Sequence, residues 1–314
     1  MKRLCFFSHF DRDDMIDAYV IRYLEGLKTV ADHIIFISGS VLSGQEQKKL
    51  SDTADKIIIR ENTGYDFGSW KDGLDNFGFE NLDKYDEIIL ANDSCYGPLY
   101  PFSEMFDKMA AENCDFWGVT KNNAIFPHIQ SFFLVFRKTA FSSAVFRIFW
   151  KKIIPLKGKY ELVDAYEAGL SEILAKHGFF SQSYIKFSMF RTAACSLRHK
   201  YFRIRSMLLS EKGREAVVIR DFQGNKKTFT FSQSLRRVLY FAFHFSSFNP
   251  MITETLYCLK NRCPLIKAEL FKHNFLMTDM GQNIRQIEKT SDYDMNLISA
   301  HLERIMNFPP TVRQ

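Results

Sequence analysis

The chain has 314 residues and a formal net charge of +6, with 46% hydrophobic and 25% charged residues. That balance excludes a disordered chain, and the length suits one large domain or one domain plus an accessory lobe. The longest uncharged apolar run, Val238 to Phe248, falls far short of the roughly 20 residues that span a bilayer, so no membrane-spanning helix is expected.

The first residues carry a basic pair and a short apolar run, then Asp11, Asp13 and Asp14 with no small-residue cleavage site. Leu4 to Ser8 therefore reads as a first strand rather than a leader. Asp14 to Leu27 places Ile16, Tyr19, Val20, Tyr23, Leu24 and Leu27 at helical spacing, which predicts one apolar face laid on a sheet. His33 to Ile37 predicts a second strand, Gln45 to Asp52 a polar helix and Lys56 to Arg60 a third strand. A helix from about Phe67 to Phe77 and a strand Glu87 to Ala91 follow. Short β-branched runs alternating with helices imply a mostly parallel α/β sheet with helices on both faces.

Asp115 to Val119 and Ser131 to Phe136 predict two further strands, and Val163 to His177 a helix stopped by Gly178. Ala216 to Asp221 and Lys227 to Phe231 flank Gln223-Gly224-Asn225 as a hairpin, and the chain from about Ser234 reads as helices broken at Asn249-Pro250 and Cys263-Pro264. The expected plan is a nucleotide-binding domain over residues 1–190 and a basic, mainly helical lobe over 191–314.

Six cysteines are scattered with no CxxC pair, which fits free thiols in a reducing cytoplasm. Residues 191–240 hold twelve Lys and Arg against Glu211, Glu215 and Asp221. Such an excess favours an anionic partner, a membrane surface or a phosphate-bearing lipid, although a solvated basic face would look the same. Nucleic acid is not expected, for lack of a recognition motif.

In an open α/β sheet, ligands bind outside the carboxyl ends of the strands. The third strand runs into Arg60-Glu61-Asn62-Thr63-Gly64-Tyr65-Asp66-Phe67-Gly68. Gly64 and Gly68 permit a tight turn, Asp66 can cap the next helix, Arg60 can pair with a diphosphate, and Asn62 or Asp66 can bond a base or ribose. A capped strand–helix turn needs no ligand to explain it. The fourth strand ends in Asn92-Asp93-Ser94, small oxygen-bearing side chains suited to a hard cation or to ribose and phosphates, and equally to a simple turn. Pro127-His128-Ile129-Gln130-Ser131 opens an apolar strand and can contact a sugar, whereas a lone His is as readily structural. Asp164 and Glu167 lie three apart on one helix, as catalytic carboxylates or as partners of the helix dipole.

In this order and spacing, RENTGYDFGSWKDGL (60–74), IILANDSCYGPL (88–99), DFWGVT (115–120), HIQSFFLVF (128–136), YEAGLSEILAKHG (166–178) and NP…CPLIKAELF (249–271) resemble the rhamnan synthesis protein F family. More distantly, they resemble inverting glycosyltransferases of the GT-A fold. The resemblance covers roughly residues 3 to 275. It implies a GT-A-like domain in which Asn92-Asp93-Ser94 stands where an Asp-x-Asp motif holds the donor diphosphate through Mg²⁺ or Mn²⁺. One of the two acids is missing, and Asp93 is the implied metal ligand. Glu167 matches the place of the catalytic base, with Asp164 in reserve. The donor would lie against Ser8, His9, Arg60, Asn62, Gly64, Tyr65, Asp66 and Phe67, with Tyr65 or Phe67 near the base, and the sugar against His128, Gln130 and Ser131.

The family suggests dTDP-L-rhamnose as donor and a lipid-linked cell-surface glycan such as O-antigen as acceptor, at the inner face of the plasma membrane. Arg236 and Arg237, beside Tyr240, Phe241, Phe243, Phe245 and Phe248, suit such an interface. Two other readings stay open. A sugar nucleotidyltransferase would carry a glycine-rich basic loop where Phe7-Ser8-His9-Phe10-Asp11 stands. A non-catalytic, degenerate transferase would hold glycan or nucleotide sugar without turnover.

Overall fold

The computed structural model of the protein describes residues 1–122, 127–156, 159–188, 191–192, 194, 197, 219–220, 226–227, 249–273 and 279–306. Strands β1 (Arg3–His9), β2 (His33–Ser38), β3 (Lys56–Ile59) and β4 (Glu87–Asn92) alternate with helices α1 (Ala18–Lys28), α2 (Gly44–Lys48) and α3 (Tyr65–Phe77). Further along come the two-residue β5 (Cys95–Tyr96), α4 (Phe102–Ala110), β6 (Phe116–Gly118), β7 (Lys121–Asn122), β8 (His128–Ile129) and β9 (Phe133–Arg137). Helices α5 (Lys138–Phe141), α6 (Ala144–Lys152), α7 (Lys159–Leu162), a π-helical turn Val163–Ala168, α8 (Gly169–Lys176) and β10 (Ser181–Ser183) complete this part.

Seven strands form one sheet in the order β10-β6-β9-β4-β1-β2-β3. β1 runs parallel to both β2 and β4, and β2 to β3, as the alternation of strands and helices predicts. β9 is antiparallel to both β4 and β6, so the sheet is mostly parallel.

Side chains alternate between the two faces of a strand, and here both faces are buried. Leu4, Phe6, Ile35, Ile37, Ile88 and Leu90 point to one face, covered by Phe67, Trp70 and Leu74 of α3, Trp150 of α6 and Leu174 of α8. Cys5, Phe7, Ile34, Phe36, Ile89 and Ala91 point to the other, covered by α1 and α4. Each such aliphatic or aromatic side chain contributes on the order of 1.5–3 kcal/mol by burial. Met251, Cys258, Leu259, Leu265, Leu270, Ile287 and Ile298 enter the second core, so the helices of residues 249–306 share a core with the sheet. Ile266–Lys267 also pairs antiparallel with β5.

Helix α1 begins at Ala18 rather than at Asp14. Asp14 has a positive φ of 57° and accepts the Val41 N–H at 2.8 Å, while Asp11 and Asp17 are held by Arg304. These long-range bonds override a local pattern that would have extended the helix. Of the expected hairpin, Ile219–Arg220 and Lys226–Lys227 pair antiparallel, and its turn lies outside the described residues, as do Arg236, Arg237 and the aromatic run to Phe248. The five described cysteines are buried, and none is joined to another in a disulfide. Among the described residues no helix is long and apolar enough to cross a membrane.

Candidate functional site

The carboxyl ends of β1 and β4 lie side by side, with Ser8 opposite Asn92. Both side chains donate to one carboxylate: Ser8 Oγ to Asp66 Oδ1 at 3.0 Å, and Asn92 Nδ2 to Asp66 Oδ2 at 2.8 Å. Asp66 stands in the first turn of α3, which the left-handed Gly64 (φ 71°) swings back onto the sheet. Asp66 is thus a crosspiece between two strand ends, and it acts on any ligand by fixing Ser8 and Asn92. Asn92 Oδ1 accepts in turn from Ser94 Oγ at 2.6 Å, which closes the Asn92-Asp93-Ser94 turn.

That turn aims Asp93 at the loop after β1, where the Phe10 N–H donates to its Oδ2 at 2.9 Å. Burial pushes the Asp93 carboxyl up to about 7. The Phe10 N–H and Lys272 oppose this, and Asp66 and Asp11 add to it. His9, buried against Phe36, lies 3.0 Å from Ser38 Oγ through Nδ1. Burial pushes its imidazole down to about 4 against the pull of Asp11 and Asp17, so it is neutral at pH 7.

Other predicted donor residues are placed differently. Arg60 is bound to Asp72 and donates to the Thr63 carbonyl at 2.9 Å, so its guanidinium clamps the loop into α3. Phe67 has no exposed surface; it stacks on Trp150 with centroids 5.8 Å apart and packs against Trp70 and Tyr166, leaving no face for a nucleobase. Tyr65 is exposed, and Asn62 is exposed beside Gly39 at the end of β2.

A second polar group gathers at the start of β9. Glu167, in the π-helical turn, receives a hydrogen bond at Oε2 from the Ser131 N–H at 3.0 Å and another from the Ser131 hydroxyl. Its Oε1 lies 3.1 Å from Nε2 of the fully buried His128. Burial raises the carboxyl's pKa, but the bonds and charge from His128 and Ser131 outweigh it and hold Glu167 below the usual carboxylate range. π-helical turns occur often at functional sites because the extra residue re-aims a side chain. Gln130, nearly fully buried, accepts the Thr120 hydroxyl at 2.7 Å. The Asp164 side chain lies outside what is described.

Since β4 and β9 are antiparallel, Asn92-Asp93-Ser94 leaves the sheet where Gln130-Ser131-Phe132 enters it. Lys267 joins the two: its Nζ donates to Ser94 Oγ at 3.1 Å and lies 4.5 Å from the Phe132 ring centroid. A cleft of about 600 Å³ opens here, lined by His9, Phe10, Asp93, Ser94, Lys267 and Lys272 among others. Neither Glu167 nor Ser131 is part of its lining. The far wall is the helix Asn296–Met306, pinned by Arg304, whose guanidinium donates to Asp17 at 2.6 Å and Asp13 at 2.8 Å and binds Asp11. A second cleft of about 590 Å³, lined by Ile16, Ile21, Arg22, Glu25, Asp292 and Leu297, lies over α1, away from the strand ends.

Among the described residues, no group of three or more His, Cys, Asp or Glu side chains is arranged to hold a metal ion. Asp93 offers one carboxylate oxygen beyond the Phe10 bond, and the neighbouring Ser94 hydroxyl already faces the Lys267 ammonium. An ammonium there repels a cation, so this donor set does not fit a protein-held Mg²⁺ or Mn²⁺.

The lysines, Arg304 and His301 were not among the sequence candidates. Lys267 lies within CPLIKAELF, part of the family resemblance, which was the one available signal.

A mostly parallel α/β sheet with polar side chains and a cleft at the carboxyl ends of its central strands defines a protein built to take a ligand there. The chain belongs to the rhamnan synthesis protein F family, whose model matches residues 34–214. It is 28% identical over 160 residues to the uncharacterized protein y4gN of Sinorhizobium fredii, a match covering 50% of this chain and 42% of that protein. It is 30% identical over 139 residues to virulence protein VirA of Vibrio anguillarum, covering 43% of each. The matched stretch spans less than half the length of these relatives. Among solved structures it is similar to residues 1–349 of S. aureus TarS, at 10% identity and a TM-score of 0.37 over 97% of this chain and 92% of that one. A likeness of that size carries no argument about this chain.

Proposed function

We propose that the protein is an inverting glycosyltransferase that moves a sugar from a nucleotide donor to a glycan acceptor. The carrying observation is Glu167, an ionised carboxylate held by His128 and Ser131 where β9 meets the Asn92-Asp93-Ser94 turn. In this reading an acceptor hydroxyl gives its proton to Glu167 as its oxygen bonds to the anomeric carbon. The bond from that carbon to the donor's diphosphate breaks, and the nucleoside diphosphate leaves with the electron pair. Ser8 and Asn92, braced by Asp66, hold the donor together with Asp93, and Ser131 aims the base. Asp164 is the reserve base.

Membership of the rhamnan synthesis protein F family supports L-rhamnose from dTDP-L-rhamnose as the transferred group. The twelve basic residues of 191–240 support a lipid-linked, anionic acceptor at a membrane surface. One observation favours a second reading, a binding module without turnover: the Glu167 carboxylate already accepts from Ser131 twice and faces His128, as a structural strut would. Glu167→Gln separates the two. Loss of a base lowers kcat about 10²–10⁴-fold with folding unchanged, whereas unchanged turnover removes Glu167 from the chemistry.

A further inference from the structure

We propose that Lys267 and Lys272 bind the diphosphate of the donor, supplying the positive charge that a second acid and its cation would otherwise bring to this cleft. The nucleoside and sugar rest on the transferase reading above; the diphosphate site does not.

Three observations carry the inference. First, Lys267 is built into place. The Ile266–Lys267 strand pairs with β5 so that Lys267 lies opposite Cys95, and the Ala268 N–H donates to the Ser94 carbonyl at 3.0 Å. The side chain is bracketed by the Ser94 hydroxyl at 3.1 Å and the Phe132 ring at 4.5 Å. An ammonium has three donors, so N–H groups remain for a ligand. Second, Lys272 lines the same cleft half-buried, with no ion pair to a described residue. Burial disfavours its charge, while Asp93, Asp11 and Asp17 favour it against Arg304.

Third, three of the four acids in the lining have partners of their own. Arg304 bridges Asp11 and Asp17 and offsets part of their charge, and Asp93 accepts the Phe10 N–H and is pushed up to about 7 by burial. Glu269 is the remaining acid in the lining. Two ammonium groups facing one half-enclosed cleft suit a dianionic or trianionic oxyanion, and lysine meets phosphate as a point charge. The same ammonium groups would stabilise negative charge on a departing diphosphate.

The test is calorimetric titration of the full-length chain with inorganic pyrophosphate, dTDP and thymidine in excess EDTA. Lys267→Met and Lys272→Met should each weaken pyrophosphate and dTDP binding by about tenfold or more, as expected for losing one charge-assisted bond. Thymidine affinity should stay the same, and Lys267→Arg should keep most of the diphosphate affinity. Circular dichroism and urea midpoints establish that the variants fold; Lys267→Gln and Lys272→Gln replace any that do not.

Pyrophosphate binding by the wild type that is unchanged in both variants overturns the assignment. So does a wild type that binds pyrophosphate only when Mg²⁺ or Mn²⁺ is present. Loss of pyrophosphate binding in the variants, beside a wild type that transfers no sugar, upholds the lysines and sinks the transferase reading. Sugar transfer with unchanged affinity in the variants does the reverse.

Discussion

Replacing Arg304 with Met removes a guanidinium that bridges Asp11, Asp13 and Asp17 and ties the helix Asn296–Met306 to the loop after β1. Removing one partner of a fully buried ion pair costs about 3–5 kcal/mol because the other charge is left unpaired. Here the Arg304, Asp11 and Asp17 side chains are 19%, 11% and 16% exposed, and Asp13 is 45% exposed, so water screens part of the loss. The expected cost is therefore about 2–3 kcal/mol at pH 7. With a urea slope near 3 kcal/mol per M, the unfolding midpoint falls by about 0.7–1 M.

The pH dependence has a definite sign. Burial alone would raise the Asp11 pKa, but the Arg304 bonds and local N–H groups leave it below its ordinary value. A depressed carboxyl stabilises the fold above its unfolded pKa and loses that contribution as pH falls through the folded one. The gap between wild type and Arg304→Met should be full at pH 6–8 and close below about pH 4. Because the same helix walls the cleft, the KM for the donor should also rise. A midpoint change under about 0.2 M at pH 7, or a gap of equal size at pH 3.5, would refute the clamp; the smaller figure is what a surface pair yields.

Two further predictions concern the strand ends. The raised pKa of Asp93, about 7 in the fold, means that its burial favours the protonated form, so the wild type loses stability as pH climbs from about 4 toward 7. Asp93→Asn should flatten that part of the urea-midpoint profile and weaken donor binding; an unchanged slope would show that Asp93 is solvated and ionised throughout. His128→Phe removes the group that most lowers the Glu167 pKa, so the acidic limb of the kcat/KM profile should move to higher pH. An unmoved limb, with activity retained, would assign that limb to another group.

The central strands were legible because β1, β2 and β4 are apolar runs bounded by polar turns, and two-sided burial leaves little else for such runs to do. The direction of β9 was not legible, since residue pattern gives a strand's faces but not its orientation. Asp66 and Asn92 were legible as candidates in two separate motifs; that both meet Ser8 around one carboxylate is long-range geometry that neither motif carries. Arg60 and Phe67 lie in the same motif as Asp66, but their side chains turn to Asp72 and to the Trp150 core, and spacing alone cannot distinguish those directions. Apart from the place of Lys267 in the CPLIKAELF motif, nothing in the sequence marked Lys267, Lys272 or the Arg304 clamp. Lys267 meets Ser94 from 173 residues away and Arg304 meets Asp11 from 293, separations at which no local pattern survives.

The central claim is sugar transfer, and it is tested most directly by measuring nucleoside diphosphate released by the purified chain from a panel of nucleotide sugars that includes dTDP-L-rhamnose. Each donor would be run with membrane extract as acceptor, in EDTA and in Mn²⁺ or Mg²⁺, beside Glu167→Gln. The account predicts release from one donor, dTDP-L-rhamnose, that persists in EDTA and falls at least a hundredfold in the variant. No release from any donor under any of these conditions, with folding and diphosphate binding intact, would contradict it.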